Sequence, residues 1–184
     1  IISGLVGSEM CIRDSLYLMI FISSTSEVFS KGDDLLKVRK YYYLAINSEE
    51  KFKEFENILV KYSNPENTIL GYIGMSFMLK AKYAWLPNYK MEYFTKGKNF
   101  LELAISKDPN NVELKFMRFC LQNETPSFLS YKMNLGKDKN FLIKSFSSIK
   151  DNDLKQKIYR YMLENKIKLT DIELNRLKNT KFNY

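Results

Sequence analysis

The sequence has no histidine. Without imidazole the chain cannot build Ser-His-Asp or Cys-His nucleophile systems, and it lacks a principal zinc ligand. Cys11 and Cys120 are the only thiols, which excludes a disulfide framework and a four-cysteine metal site. Seven Gly and four Pro among 184 residues are too few for a turn-rich β-sandwich. Arginine is also scarce, five against 24 lysines, and readers of base edges rely heavily on Arg.

What is present points to a globular chain. Apolar residues make up 45% and charged residues 27%, and the length suits one domain with a real core. The net charge is +8, with a pI near 9.3. A basic chain invites a nucleic-acid or anionic-surface reading. Here, however, the lysines are spread out, and the Asn, Ile, Phe and Tyr beside them match an AT-rich coding bias. A solvated basic surface therefore stands ahead of nucleic-acid binding.

From Asp33 onward the apolar spacing is helical. Leu35, Val38, Tyr42 and Ala45 share one helix face, and Phe52, Phe55, Leu59 and Tyr62 share another after Ser48, an expected N-cap. Asn64-Pro65 breaks the pattern. An apolar segment runs from Asn67 to near Trp85, and Asn88 is expected to cap the helix after Pro87. Asp108-Pro109-Asn110 reads as a stop and a fresh cap, with Glu113 closing a capping box. Thr125-Pro126 interrupts again. Further helices follow over Phe141–Ile149, Leu154–Met162 and Thr170–Leu177, the last opened by a capping box at Thr170 and Glu173. No period-2 alternation appears. The expected fold is all-α, with about eight helices in antiparallel pairs joined by short turns.

Gly97, Leu101, Ala104 and Pro109, with Phe94 one turn earlier, stand at the spacing of the second helix of a tetratricopeptide repeat. Ile73-Gly74 followed by Phe77 fits its first helix. The region from 67 to about 122 thus resembles a degenerate tetratricopeptide-like helical repeat. That resemblance implies helix pairs and a protein- or peptide-binding groove. The two registers do not join, so residues 81–91 read as a lengthened connection. In general appearance the chain is similar to small, uncharacterised exported proteins of the Bacteroidetes, which implies no activity.

The first thirty residues are expected to lie outside the fold. Gly4 to Ser15, GLVGSEMCIRDS, resembles a translated sequencing-adapter segment, the alternative being an ordinary N-terminus. Leu16 to Ile22 is an apolar run too short to span a bilayer, and it matches the core of a secretory leader ending near Ser30. The alternative there is a buried first helix. The division expected is 1–15 adapter-like, 16–30 leader, 31–178 one helical domain and 179–184 a flexible tail. The product would be exported and periplasmic or envelope-associated, or cytoplasmic without the leader.

No Walker-type loop, catalytic set, metal site or cofactor is legible. Gly71 and Gly74 sit inside an apolar helix, where close packing explains them. Tyr41, Tyr42 and Tyr43 cannot all face one core, because successive helical positions point about 100° apart; at least one must be exposed or line a groove. Trp85 and Tyr89 read either as an aromatic lid or as partner anchors. Arg118, with Lys115 and Gln122 one turn to either side, reads either as an ion-paired arginine or as the cationic floor of a groove beside Trp85. Cys120 reads as a small buried hydrophobe. The expectation is a non-enzymatic protein- or peptide-binding module. Its alternatives are a basic nucleic-acid or anionic-surface binder and an enzyme of unrecognised type.

Overall fold

The computed structural model describes residues 31–165 and 167–179. The adapter-like and leader readings, Cys11, and residues 180–184 of the expected 179–184 tail lie outside the described residues. Those residues form eight α-helices and no strand. The helices are α1 (Lys31–Ala45), α2 (Glu49–Leu59), α3 (Asn67–Tyr83), α4 (Pro87–Lys107), α5 (Val112–Glu124), α6 (Leu135–Ser145), α7 (Asn152–Glu164) and α8 (Asp171–Lys178). Short 3₁₀ turns lie at Ser127–Leu129 and Phe146–Ser148.

Polar side chains fix several helix starts by accepting from orphan backbone N–H groups. The Ser48 hydroxyl accepts from the Lys51 amide, and Asp151 Oδ1 accepts from the Leu154 amide at 3.0 Å. Thr170 and Glu173 form the expected capping box. Two expected caps are shifted. Asn111, not Asn110, caps α5, accepting from the Glu113 and Leu114 amides at 3.1 Å each. Glu113 is therefore released from a capping box and turns inward. Leu86, not Asn88, occupies the cap position of α4, because Pro87 suits the first helical position, where no N–H is needed.

The connection between α3 and α4 is also shorter than expected. It spans only residues 84–86, so the extra residues of 81–91 extend the two helices rather than loop between them. Cβ atoms placed on Gly71 and Gly74 would meet Leu101, one placed on Gly97 would meet Gly74 and Met78, and Tyr93 lies beside Phe77. That order of contacts is antiparallel. The closest approach is at glycine: a Cβ on Gly74 would lie 2.8 Å from the Gly97 carbonyl oxygen, and one on Gly97 would lie 2.6 Å from that of Gly74.

Two apolar clusters share α5. Leu114 and Met117 join Val38, Phe55, Tyr72, Leu101 and Ala104 on one side. Phe116 and Phe119 join Leu142, Phe146, Ile158, Met162 and Leu177 on the other. Burying a Leu or Phe side chain contributes roughly 1.5–3 kcal/mol, so α5 is held by apolar contact from both sides. That leaves Glu113, Arg118 and Gln122 surrounded by protein.

Candidate functional site

Arg39 is 1% exposed and stands at the centre of an ionic hub. Its Nε and Nη2 donate to Glu113 at 2.7 and 2.8 Å, Nη2 also donates to Asp151 at 2.8 Å, and Nη1 donates to Asp153 at 2.8 Å. The Tyr72 hydroxyl donates to Glu113 at 2.6 Å. The guanidinium thereby ties α1 to α5 and α7, and Glu113 carries the link on to Tyr72 of α3. Burial opposes its charge, but the hydrogen bonds it donates to three carboxylates, with the charge of Glu113, outweigh burial and hold it protonated. The same burial, with Glu113 close by, pushes the Tyr72 phenol well above its ordinary range.

Asp151 serves two elements at once. One oxygen caps α7 and the other accepts from Arg39. Burial alone would raise its pKa, but the hydrogen bonds of Arg39 and of the cap bring it below the usual aspartate value. A carboxylate depressed in the folded state stabilises the fold above its unfolded pKa, about 3.9. That contribution is lost as pH falls through the lower folded value. The thermal midpoint is therefore expected to fall between pH 5 and pH 2. Asp151→Asn, which can still cap, should remove part of that slope; an identical slope in the variant would refute the coupling to Arg39.

Arg118 forms a second hub. It is 6% exposed. Its Nε and Nη2 hold Asp138 at 2.6 and 2.9 Å, and Nη1 holds Glu102 at 2.7 Å. Tyr131 donates to Glu102 at 2.5 Å, and Lys115 approaches Asp138 at 3.6 Å. Gln122 is fully buried beside the Tyr131 hydroxyl, which donates to Glu102. Arg118 is therefore no cationic floor of a groove: it joins α5 to α4 and α6 inside the fold, Lys115 reaches α6 beside it, and Gln122 is buried. Nor do they meet Trp85. Glu102 is fifteen residues into α4, about 22 Å along the helix axis from the end that carries Trp85.

Trp85 and Tyr89 are exposed, as partner anchors would be. Trp85 is 93% exposed at the α3–α4 turn, flanked by Leu86, Tyr89 and Met91, each close to half exposed. Tyr89 stacks on Tyr93, Tyr93 faces Phe77, and Phe77 stacks on Phe100 at 5.5 Å, so an aromatic ladder runs up the hairpin to this tip. Exposed Phe128 and Met133 flank Tyr131, which packs edge-on against Phe94 of α4.

A shallow groove of about 470 Å³ lies between α1 and α7, lined by Leu36, Lys40, Tyr43, Leu44, Asp153 and Lys157. Tyr43 is the member of the tyrosine triplet that lines it. Tyr42 turns to Phe55 and Tyr72, and Tyr41 packs on the first cluster. Lys157 sits 4.3 Å over the Tyr43 ring and pairs with Asp153 at 3.2 Å. Lys40 is exposed and has no acidic partner among the described residues.

Reasoning from the sequence missed Arg39, Glu113, Asp151 and Asp153. One signal was available: Arg39 is four residues from Leu35 and three from Tyr42, which places a charge on an apolar stripe. Cys120 is half-buried against the second cluster, and burial pushes its thiol well above the usual range, which makes it a poor nucleophile. Among the described residues no group of three or more metal-ligating side chains could hold a metal ion, and no helix is long and apolar enough to cross a membrane. Comparison with protein-family models, curated proteins and solved structures found no match.

Proposed function

We propose that the chain is a non-enzymatic protein- or peptide-binding module of the cell envelope, which seats an acidic partner segment in the α1–α7 groove. The observation that carries this reading is the chemistry of the groove: apolar walls from Leu36, Leu44 and Tyr43 beside the exposed ammonium of Lys40, which has no acidic partner among the described residues. Apolar contact supplies affinity there, and a carboxylate on Lys40 supplies orientation. The arginine hubs support a structural role for the buried charges, since both guanidinium groups are already held by carboxylates of this chain. The glycine contact between α3 and α4 supports the tetratricopeptide-like helix-pair reading as part of the same proposal.

The test is a photo-crosslinking residue at Leu44 in protein expressed in the native host. A discrete crosslinked partner is expected, lost more than tenfold in Lys40→Glu with an unchanged thermal midpoint, because Lys40 is exposed. Equal capture by Lys40→Glu would sink the groove reading. A nucleic-acid complex would instead weaken steeply with salt as counterions are released.

A further inference from the structure

We infer that the α3–α4 tip is a docking site for an anionic lipid surface, with Trp85, Leu86, Tyr89 and Met91 entering the interfacial layer. The first observation is the apolar exposure itself. Trp85, the only tryptophan of the chain, is 93% exposed at the end of a hairpin held rigid by backbone contact between Gly74 and Gly97. Contiguous exposed apolar surface of this kind marks an interaction site.

The second observation is charge. From Lys80 to Lys98 the chain carries Lys80, Lys82, Lys90, Lys96 and Lys98 against a single acid, Glu92. Lys96 is neutralised by Glu92 and Lys80 by Glu56 of α2. Lys82 donates to the Ile46 carbonyl and keeps its charge, Lys90 is exposed, and Lys98 lies over the Tyr131 ring. The acids that face this segment from α2 are Glu56, already paired with Lys80, and Glu49, on the side of Tyr83. The tip therefore has a net positive rim. The N-terminus of α4, which opens onto the tip, has no side-chain cap and no acidic residue in its first turn, so its dipole adds to that field.

The residue types discriminate between occupants. Bilayer interfaces favour Trp and Tyr at headgroup depth, and flanking lysines keep their ammonium groups in water while their stems cover apolar surface. Each basic residue near an anionic leaflet adds to binding. A Trp-Leu-Tyr-Met tip with a lysine rim satisfies both conditions.

The test uses the full chain and sonicated vesicles of phosphatidylcholine with 30% phosphatidylglycerol. Because Trp85 is the only tryptophan, its emission reports the tip alone. It is expected to shift to the blue on mixing and to be quenched by brominated acyl chains. Cosedimentation should fall more than tenfold in Trp85→Ala, whose fold, checked by circular dichroism, should be unchanged because the side chain is solvated. In Lys82→Gln/Lys90→Gln it should fall about thirtyfold. An unshifted emission, equal binding to pure phosphatidylcholine, wild-type sedimentation of Trp85→Ala, or an emission shift produced by duplex DNA without lipid would each overturn the inference. Lys40→Glu should leave vesicle binding intact, so the groove and the tip fail independently.

Discussion

Arg39→Ala is expected to lower the thermal midpoint by about 10 °C. The substitution removes the only cation that reaches Glu113, and it leaves that 5%-exposed carboxylate with the Tyr72 hydroxyl as its one side-chain hydrogen-bond donor among the described residues. Breaking a buried ion pair from one side costs about 3–5 kcal/mol. In a domain of this size each kcal/mol shifts the midpoint by roughly 2–4 °C. The cost comes from the stranded charge rather than from lost attraction, because water solvated both groups in the unfolded chain. The double variant Arg39→Met/Glu113→Leu should therefore recover most of the loss. Circular dichroism melts at pH 7 check both. A drop below about 2 °C for Arg39→Ala, or a double variant no better than the single one, would mean that the hub does not bear on stability.

Gly74→Ala should destabilise by about 3 kcal/mol, although alanine is the better helix former by roughly 1 kcal/mol. The added Cβ would lie 2.8 Å from the Gly97 carbonyl oxygen and 2.9 Å from the Leu101 amide nitrogen. Both are backbone atoms of α4, so no rotamer change relieves the clash and the two helices must move apart. That separation would loosen Leu101 and Ala104, which are fully buried between the layers. Gly136 provides the control. A Cβ there meets nothing within 4 Å, so Gly136→Ala should stabilise by a few tenths of a kcal/mol up to about 1. Urea titrations of the two variants should move in opposite directions. A stabilised Gly74→Ala would show that the helices can separate without loss and that their close approach is incidental.

Several features were legible before any coordinates. Helical periodicity placed Val38, Phe55, Leu101, Leu142 and Ile158 in the core, where they lie. Ser48 and the Thr170–Glu173 box were readable as caps because capping is local chemistry, decided within four residues. Gly71 and Gly74 on an apolar helix announced close packing, whereas Trp85 and Tyr89 could be read by residue type either as a lid or as surface anchors.

The rest was decided at long range. Arg39 sits on an apolar stripe, which hints at burial, but nothing local to Arg39 or Arg118 shows which carboxylates will hold it. Arg39 is buried because Glu113 and Asp151, 74 and 112 positions away, reach it when α5 and α7 close over α1. Arg118 lost its expected groove because Asp138, on the next helix, took both arms of its guanidinium. Helix boundaries at 84–86 were misread because a proline marks a start as readily as a stop, and only the packing of α3 on α4 selects between them. The sequence by itself determined which segments are helical, where most of them begin and which faces are apolar, since backbone geometry and side-chain type set these over one or two turns. Only the tertiary structure decided which charges are sheltered and which aromatics stay in water, because burial belongs to the whole set of neighbours a residue acquires and not to its place along the chain.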